Sequence, residues 1–408
     1  MHSNTARSGA APSQPSRLPS LTGLRALAAA MVFLVHVRGL QPEQSQATWA
    51  AVFGVGGSGV TFFFVLSGFV LTWAWSTAPS HRGAFYRRRA ARILPNYLVT
   101  WFTGAVVTAL TLAAVGGSLR ASGLAFVVGT PLLQAWVPLR SVFHGINGPA
   151  WSLSVEAFFY LLFPLFIGLL VRTRAAIRLA VALSCVVLVI ALPTAAHLLG
   201  LGPDLTEWAV FVLPIARVPE FVLGCALAAY VASGGRLRCP FPLTLAVALV
   251  ALALAAWLGD PWTNAVVVVP FTIVIATAAQ RDLDGQGSFA AHPWMVRLGE
   301  WSFAFYLVHE QVIRLLQLVP GPGTSLAAGL ALGTLALALS LGAAALLYGW
   351  VERPLERRWR NGPARAPAAS RRQIQDIAAS GRVGPGLLPD DGPVQVGDPS
   401  RSRGDAGE

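Results

Sequence analysis

The amino-acid sequence predicts an all-α polytopic membrane protein with about ten transmembrane helices and a disordered C-terminal tail. Hydrophobic residues make up 55% of the 408 residues and charged residues only 12%, about half the charged share of a typical soluble domain. Apolar segments of about 20 residues, long enough to cross a bilayer core as a helix, recur along most of the chain. The connections between them alternate between arginine-rich and arginine-poor. This pattern leaves no room for a separate soluble catalytic domain.

The predicted membrane domain covers residues 19–358. A further apolar stretch, 122–138, is short and contains Pro131 and Pro138, so we expect it to be interfacial or re-entrant and not an eleventh span. In chain order the ten predicted spans are 21–38, 55–75, 95–116, 150–171, 177–198, 208–231, 241–258, 264–280, 299–318 and 324–350.

The arginine distribution predicts the orientation of the chain. The sequence contains no lysine, and its formal net charge is +12. Because the arginines cluster beside spans on one side, they indicate topology by the positive-inside rule and not a nucleic-acid partner. We expect a multi-pass protein of the plasma membrane with both termini cytoplasmic; the loop 117–148, with Arg120 and Arg140, is the exception among the outer loops. The arginine-rich segments are the N-terminus, 81–92, 172–178, 233–238, 281–298 and 351–360.

Both ends of the chain are predicted to be disordered and cytoplasmic. Residues 1–18 are polar and rich in proline and serine, and they lack the apolar core of a signal peptide. Residues 359–408 are rich in proline, glycine and serine, which is typical of disorder. The first span is therefore expected to be retained as helix 1.

Arg25 and His36 are the most informative residues of the first span. Eleven helical steps return a side chain to nearly the same face, and they separate the two groups by about 16 Å along the helix. Ionisable side chains inside a membrane are costly and usually functional. His36 is the candidate general base, since imidazole titrates near neutral pH.

The second and third spans carry two further candidates. Ser67, followed by Gly68, offers a hydroxyl to a ligand, although such glycines also serve close helix packing. Arg89 and Arg92 are three residues apart, so they share a helix face at the predicted cytoplasmic edge. Paired guanidinium groups suit a phosphate ligand. The alternative is that they only set topology and contact lipid headgroups.

The fourth span places Ser152, Glu156 and Tyr160 on one helix face. A carboxylate inside an apolar span needs a partner. By the predicted topology, His36 and Glu156 both lie toward the outer half of the membrane, so we expect Glu156 to pair with His36 and orient its imidazole.

The sixth and ninth spans also hold polar residues. Arg217 and Glu220, three residues apart, are predicted to form a structural ion pair. Ser302, Tyr306 and His309 form a polar stripe, and His309 either lines the cavity or completes the packing. The three cysteines have no metal-ligand spacing, so no metal site is predicted.

At this point the motifs resemble those of the acyltransferase 3 family of integral membrane O-acyltransferases, which act on sugars, glycans or macrolides. The resemblance covers about residues 18–358, with the motifs in the family's order. They are Arg25–x10–His36, FFFVLSGF (62–69), RRAARILPNY (88–97), WSLSVEAFFY (151–160), RVPEFVLG (217–224), SFAFYLVH (302–309) and VERP (351–354).

The resemblance implies a ten-span enzyme that transfers an acyl group, expected to be acetyl, from cytoplasmic acyl-CoA to an acceptor hydroxyl. It implies that Arg25 and His36 are essential and that Arg89 and Arg92 bind the donor phosphates. Arg25 is expected either to hold the donor or to stabilise the negative charge that develops during transfer. Acyl-CoA is then a co-substrate, with no permanently bound cofactor. Some family members carry an additional extracytoplasmic domain, and we expect the membrane core of this chain, or a separate partner, to complete the transfer. The predicted substrate-binding residues are Ser67, Trp151, Ser152, Tyr160, Tyr306 and His309.

Three functions stay open at this level. The acceptor is a cell-surface glycan or sugar, or it is a secondary metabolite such as a macrolide antibiotic. The third possibility is a lipid or sugar transporter without acyl transfer. The sequence shows no internal repeat, which disfavours transporters built from inverted repeats. Direct transfer and an acyl-histidine intermediate also both stay open.

Overall fold

The computed structural model describes residues 18–117, 120–318 and 325–360. The predicted disordered ends, 1–18 and 359–408, lie outside these ranges except for Leu18, Trp359 and Arg360. Within the described residues the fold is all-α. The helices are α1 Pro19–His36, α2 Glu43–Phe53, α3 Gly59–Thr77, α4 Arg82–Ala114, α5 Arg120–Gly129, α6 Arg140–Phe143, α7 Trp151–Leu170, α8 Ala175–Leu198, α9 Pro203–Glu207, α10 Pro214–Ala232, α11 Phe241–Leu258, α12 Thr263–Leu283, α13 Pro293–Leu316, α14 Leu326–Leu347 and α15 Arg353–Arg360.

Nine helical segments of the described chain are long and apolar enough to cross a membrane. They contain α1, α3, α4, α7, α8, α10, α11, α12 and α14. Helix α13 is of similar length, 24 residues, but it carries four charged side chains, Arg297, Glu300, Glu310 and Arg314. With α13 included, the prediction of about ten transmembrane helices is confirmed.

Helix α4 differs from the predicted third span. The segment 81–92 was expected to be a cytoplasmic loop before a span at 95–116. Instead, Arg82–Ala114 is one helix of 33 residues, with Pro95 in its interior. Arg89 and Arg92 therefore belong to a continuous helix that carries them toward the bundle.

Glycine allows α3 and α10 to pack with their backbones in contact. A Cβ atom on Gly68 would lie 2.0 Å from the carbonyl oxygen of Phe221, and one on Gly224 would lie 2.0 Å from that of Val65. No side chain fits into either gap, so the two glycines fix this crossing. Gly68 therefore serves close packing, the second role considered for it.

Helices α1 and α13 pack along their whole length and in parallel. A Cβ atom on Gly299 would lie 1.8 Å from the carbonyl oxygen of Thr22, which fixes one end of the contact. At the other end the side-chain amide of Gln317 donates to the carbonyl of Gly39, at 3.1 Å. This alignment sets the polar stripe of α13 against Arg25 and His36.

Three peripheral helices present their apolar side chains outward. In α8, α11 and α14 only 17–28% of the spanning residues are buried inside the protein. Exposed side chains include Val187 on α8, Val250 on α11 and Leu335 on α14. Such surfaces suit contact with lipid acyl chains and not with water.

The segment 122–138 does not form a span. It consists of the ten-residue helix α5 and a short turn that leads toward α6. The turn is anchored by Gln134, whose side chain donates to the carbonyl of Ala150 at 2.8 Å, and by Trp208, whose indole donates to the carbonyl of Ala135 at 3.1 Å. The segment thus packs beside the start of α7.

Candidate active site

Two cavities lie in the bundle and meet at Tyr306 and Val60, which line both. We call the first the arginine cavity; it is narrow, about 90 Å³. The second, the histidine cavity, is wider, about 700 Å³. The arginine cavity is lined by Arg25, Ser67, Arg89, Arg92, Ser152, Glu156 and Tyr160, and the histidine cavity by His36 and Trp151. The structure thus brings most of the predicted site residues together, but in two groups.

The polar stripe of α13 contacts both groups. Ser302 accepts a hydrogen bond from Nε of Arg25 at 3.2 Å. The hydroxyl of Tyr306 lies 2.9 Å from that of Ser152 and donates to the carbonyl of Pro149 at 3.1 Å. His309 contacts His36, with 3.4 Å between Nε2 of His309 and Nδ1 of His36. One helix face therefore connects the two ends of the site.

His36 ends α1 and is half-buried at the histidine cavity. Its Nδ1 lies 2.9 Å from the carbonyl oxygen of Val32, one turn earlier in the helix. Within the described chain, no residue forms a hydrogen bond with its Nε2. This nitrogen is therefore the one left for a substrate.

His309 does not line either cavity, so the prediction that it binds substrate directly does not agree with this structure. Its side chain is fully buried. The ring stacks on Phe305, 5.7 Å between centroids, and contacts Phe33 edge to face at 6.2 Å. The reason is its position on α13, which turns it toward α1 and not toward the cavity.

Arg25 lies in the arginine cavity without a carboxylate in ion-pair contact among the described residues. Its guanidinium sits over the ring of Phe63, 5.9 Å from the centroid, and its Nε is held by Ser302. A cation in a partly apolar setting with few protein partners is suited to an anionic ligand.

Arg92 is held by carboxylates of the segment that follows α14. It forms an ion pair with the fully buried Glu352 at 2.9 Å and a longer one with Glu356 at 3.6 Å. The other oxygen of Glu352 accepts from the side-chain amide of Asn96 at 2.6 Å. The charge of Arg92 is thus largely neutralised by the protein itself.

Arg89 has different surroundings. Its guanidinium lies over the rings of Tyr160, at 5.7 Å, and Phe85, at 5.9 Å. Its Nε is buried with no hydrogen-bond partner among the residues that the structure describes. An unsatisfied buried donor on the cavity wall indicates a missing acceptor, such as a phosphate oxygen.

Glu156 belongs to the arginine cavity, and the expected contact between Glu156 and His36 is not formed. One oxygen of Glu156 accepts from Ser67 at 3.2 Å and from the hydroxyl of Tyr160. Both residues lie in the outer half by the predicted topology, but depth along a helix does not fix the direction of a side chain. The partner of His36 is His309.

Arg217 and Glu220 form the predicted ion pair. The distance is 2.9 Å, and both side chains are only 2% exposed. Thr61 accepts from Arg217 at 3.0 Å and lies 2.9 Å from Asn264. The pair lines neither cavity and connects α3, α10 and α12, which agrees with a structural role.

The comparisons with known proteins decide the family. A family model described as an acyltransferase domain matches residues 18–349. The chain belongs to this acyltransferase family. Acyltransferase MdmB of Streptomyces mycarofaciens is 36% identical over 367 residues, which cover 85% of this chain and 93% of MdmB. No solved structure matches the chain significantly.

Two further relatives of this acyltransferase have names that refer to polysaccharides. The exopolysaccharide production protein ExoZ of Rhizobium meliloti is 29% identical over 78% of this chain and 95% of ExoZ. YrhL of Bacillus subtilis, named as a peptidoglycan O-acetyltransferase, is 29% identical over 52% of this chain and 33% of YrhL. The predicted family and enzyme class are confirmed: the chain is a multi-pass membrane acyltransferase of the O-acyltransferase type.

Sequence reasoning missed a cluster at the mouth of the histidine cavity of this acyltransferase. Glu207 accepts from Arg140 and lies 3.0 Å from Nε2 of His144, and all three line the cavity. Asp260 lines it too; burial and the nearby Glu207 carboxylate raise the pKa of Asp260. Arg140 and His144 lie more than 60 residues before Glu207 in the chain, so no local motif reveals the cluster.

Proposed function

We propose that this protein transfers an acyl group from acyl-CoA, bound through the arginine cavity, to a sugar hydroxyl that enters the histidine cavity. The observation that carries the proposal is the arrangement of the two cavities. They lie on either side of Tyr306 and Val60, with Arg25, Arg89 and Arg92 in one and His36 in the other. An anionic donor and a neutral acceptor thus have separate entrances to one transfer point.

The donor assignment rests on charge and access. Arg92 is paired with Glu352, but Arg25 and Arg89 still outnumber the single carboxylate, Glu156, on the wall of the arginine cavity. A further cavity of about 490 Å³ shares Arg25 and Arg92 with it and extends toward the start of α1 and α15. We propose that this is the entrance for acyl-CoA, with the phosphates at Arg25 and Arg89 and the thioester directed toward Tyr306.

His36 is proposed as the general base. Nε2 of His36 takes the proton of the acceptor hydroxyl as the oxygen attacks the thioester carbonyl carbon. The carbon–sulfur bond breaks, the ester forms, and the proton passes from His36 to the departing CoA thiolate. Arg25 lies eleven residues earlier on α1, about 16 Å away, so we assign it to donor binding and not to this step.

The acceptor is proposed to be a sugar hydroxyl of a cell-surface glycan. The wider histidine cavity has polar groups at its mouth, among them Arg140, Glu207 and Asp260, which suit the hydroxyls of a sugar. The names of ExoZ and YrhL favour a polysaccharide. A secondary metabolite such as a macrolide is the second candidate, favoured by the higher identity to a Streptomyces acyltransferase.

The cytoplasmic placement of both termini stays part of the proposal. It rests on the arginine-rich segments at the end of the bundle where α1 begins and α3 ends. In this orientation acyl-CoA reaches the arginine cavity from the cytoplasm, and the histidine cavity opens to the outside.

The purified full-length protein in lipid nanodiscs tests the reaction. It is incubated with acetyl-CoA carrying a labelled acetyl group and with two acceptors, the isolated surface glycan of the producing strain and a macrolide with free hydroxyls. We expect label on one acceptor and none with His36→Ala, while His197→Ala, an exposed histidine of α8, transfers normally. Transfer by His36→Ala at the normal rate would refute the mechanism. Movement of a substrate across proteoliposomes with no change in its mass would favour a transporter.

A further inference from the structure

His309 contacts His36 on the side of the ring away from Nε2. The hydrogen bonds of His309 define which of its own ring nitrogens carries the proton. Nδ1 of His309 lies 3.1 Å from the carbonyl oxygen of Phe305. A carbonyl oxygen only accepts, so Nδ1 carries the proton. A neutral ring suits the apolar surroundings of Phe33 and Phe305, because a buried unpaired charge is costly. Nε2 of His309 then holds a lone pair.

This lone pair faces His36. Nε2 of His309 is 3.4 Å from Nδ1 of His36, and the two rings meet edge to face with 4.9 Å between centroids. The carbonyl oxygen of Val32 lies 2.9 Å from the same Nδ1. Both neighbours of Nδ1 are acceptors, so Nδ1 of His36 must carry the proton. The reverse assignment would set lone pairs against each other at both contacts.

We propose that His309 is a positioning residue: it accepts a hydrogen bond from Nδ1 of His36 and holds the His36 tautomer whose Nε2 lone pair faces the acceptor. The proposal rests on the function proposed above and names the group that prepares its base. When His36 takes a proton at Nε2, its ring becomes cationic and the bond from Nδ1 to His309 strengthens. His309 therefore acts on the transfer step and leaves substrate binding unchanged.

The second acceptor limits the size of the effect. Without His309, the carbonyl of Val32 still favours the same tautomer, so the loss is smaller than removal of His36 itself. We expect kcat to fall about tenfold, at the lower end of the effects seen when a group that orients a functional histidine is removed. The Michaelis constant for acetyl-CoA should change less than about twofold, because His309 lines neither cavity.

Two variants separate positioning from packing. His309→Phe keeps a ring in the apolar pocket but offers no acceptor to His36. In His309→Gln, the side-chain oxygen reaches the place of Nε2 and restores the acceptor. His292→Phe, on an exposed histidine just before α13, is the matched control. Thermal unfolding in nanodiscs shows that each variant is folded.

The direct measurement is the tautomer of His36. Full-length protein with ¹⁵N-labelled histidine is studied in nanodiscs, and the His36 signals are those lost in His36→Gln. We expect a pyridine-type Nε2 signal for the unmodified protein and for His309→Gln, and a mixture of tautomers for His309→Phe. An unchanged His36 spectrum in His309→Phe, or the same spectrum for the Gln and Phe variants, would overturn the proposal.

Kinetics complete the test, with acetyl-CoA as donor and methyl β-glucoside as probe acceptor. A tenfold lower kcat for His309→Phe, with recovery in His309→Gln, supports the assignment; equal losses in both variants contradict it. The NMR measurement does not depend on turnover. Failure of the unmodified protein to acylate any acceptor would therefore count against the proposed function and not against the His36–His309 contact.

Discussion

At the scale of single residues, Arg89 and Arg92 have the same sequence signal but different surroundings. Glu352 and Glu356 hold the guanidinium of Arg92, whereas Arg89 lies on aromatic rings with one donor unsatisfied. Sequence spacing placed both on one helix face but did not predict that the turn after α14 and helix α15 would supply carboxylates to one of them. Replacement of Arg89 is therefore expected to weaken donor binding, whereas replacement of Arg92 is expected to lower the stability of the protein.

For Arg89→Ala we expect a Michaelis constant for acetyl-CoA about tenfold higher, because Arg89 is proposed to bind the donor phosphates. We expect normal thermal stability, because Arg89 has no ion pair with a carboxylate among the described residues. The measurement is the rate of acyl transfer against acetyl-CoA concentration. Arg87→Ala, an exposed neighbour on α4, is the control. Unchanged donor dependence in Arg89→Ala would remove Arg89 from the donor site.

For Arg92→Ala we expect a loss of stability of about 3 kcal/mol, because the substitution leaves the buried Glu352 without a counter-charge. Thermal unfolding in nanodiscs measures it. Adding Glu352→Gln to Arg92→Ala removes the uncompensated charge and should recover part of the loss. A double variant less stable than Arg92→Ala would show that the ion pair is not the cause.

At the scale of helices, close packing at glycine decides the arrangement of the core. The sequence predicted that glycines of the second span allow close packing, but it did not identify α10 as the neighbour of α3. That pairing depends on a second glycine, Gly224, in a distant part of the chain. The hydrophobic pattern of the sequence located the helices. Which helices pack together, and how each is rotated about its own axis, can be seen only in the three-dimensional structure.

Gly224→Ala tests the crossing of α3 and α10. The added Cβ would meet the carbonyl oxygen of Val65 at 2.0 Å, so one backbone must move, and we expect a loss of about 3 kcal/mol. Gly168→Ala on α7 is the control, since nothing lies within 4 Å of its Cβ. Alanine in a helix interior is favoured over glycine by about 1 kcal/mol. Unfolding temperatures that move equally in both variants would argue against the close crossing.

The packing of helices also explains why the predicted contact between Glu156 and His36 is not formed. Sequence reasoning compared the depth of His36 and Glu156 along their helices and inferred a contact. Depth is well predicted by topology, but the angle around a helix axis depends on packing. In the structure α13 lies against the face of α1 that carries His36, and α7 turns Glu156 toward Ser67. The sequence therefore identified His36 and Glu156 as residues of the site, but the predicted contact between them was wrong.

At the scale of the whole molecule, Tyr306 separates the two cavities. Its hydroxyl is fixed by Ser152 and by the carbonyl of Pro149, both near the start of α7. Val60, a residue of α3, also lines both cavities and completes the wall between them. In the proposed reaction the acceptor hydroxyl meets the thioester beside Tyr306, and the ring limits the water that reaches the thioester from the histidine cavity.

Tyr306→Ala should join the cavities. We expect acetyl-CoA hydrolysis without acceptor to rise about tenfold, because water then reaches the thioester, whereas Tyr306→Phe keeps the ring and should stay near the normal rate. Release of free CoA thiol, followed without acceptor, measures both variants. If the alanine variant hydrolyses acetyl-CoA no faster than the phenylalanine variant, Tyr306 is not the barrier.

The parallel contact of α1 with α13 has a mechanical consequence. Gly299 against Thr22 and Gln317 against Gly39 hold the two helices together at both ends, so we expect Arg25, His36, Tyr306 and His309 to keep their mutual spacing when other helices move. Widening the passage beside Tyr306 would then require its hydroxyl to release Ser152 and the carbonyl oxygen of Pro149 at the start of α7.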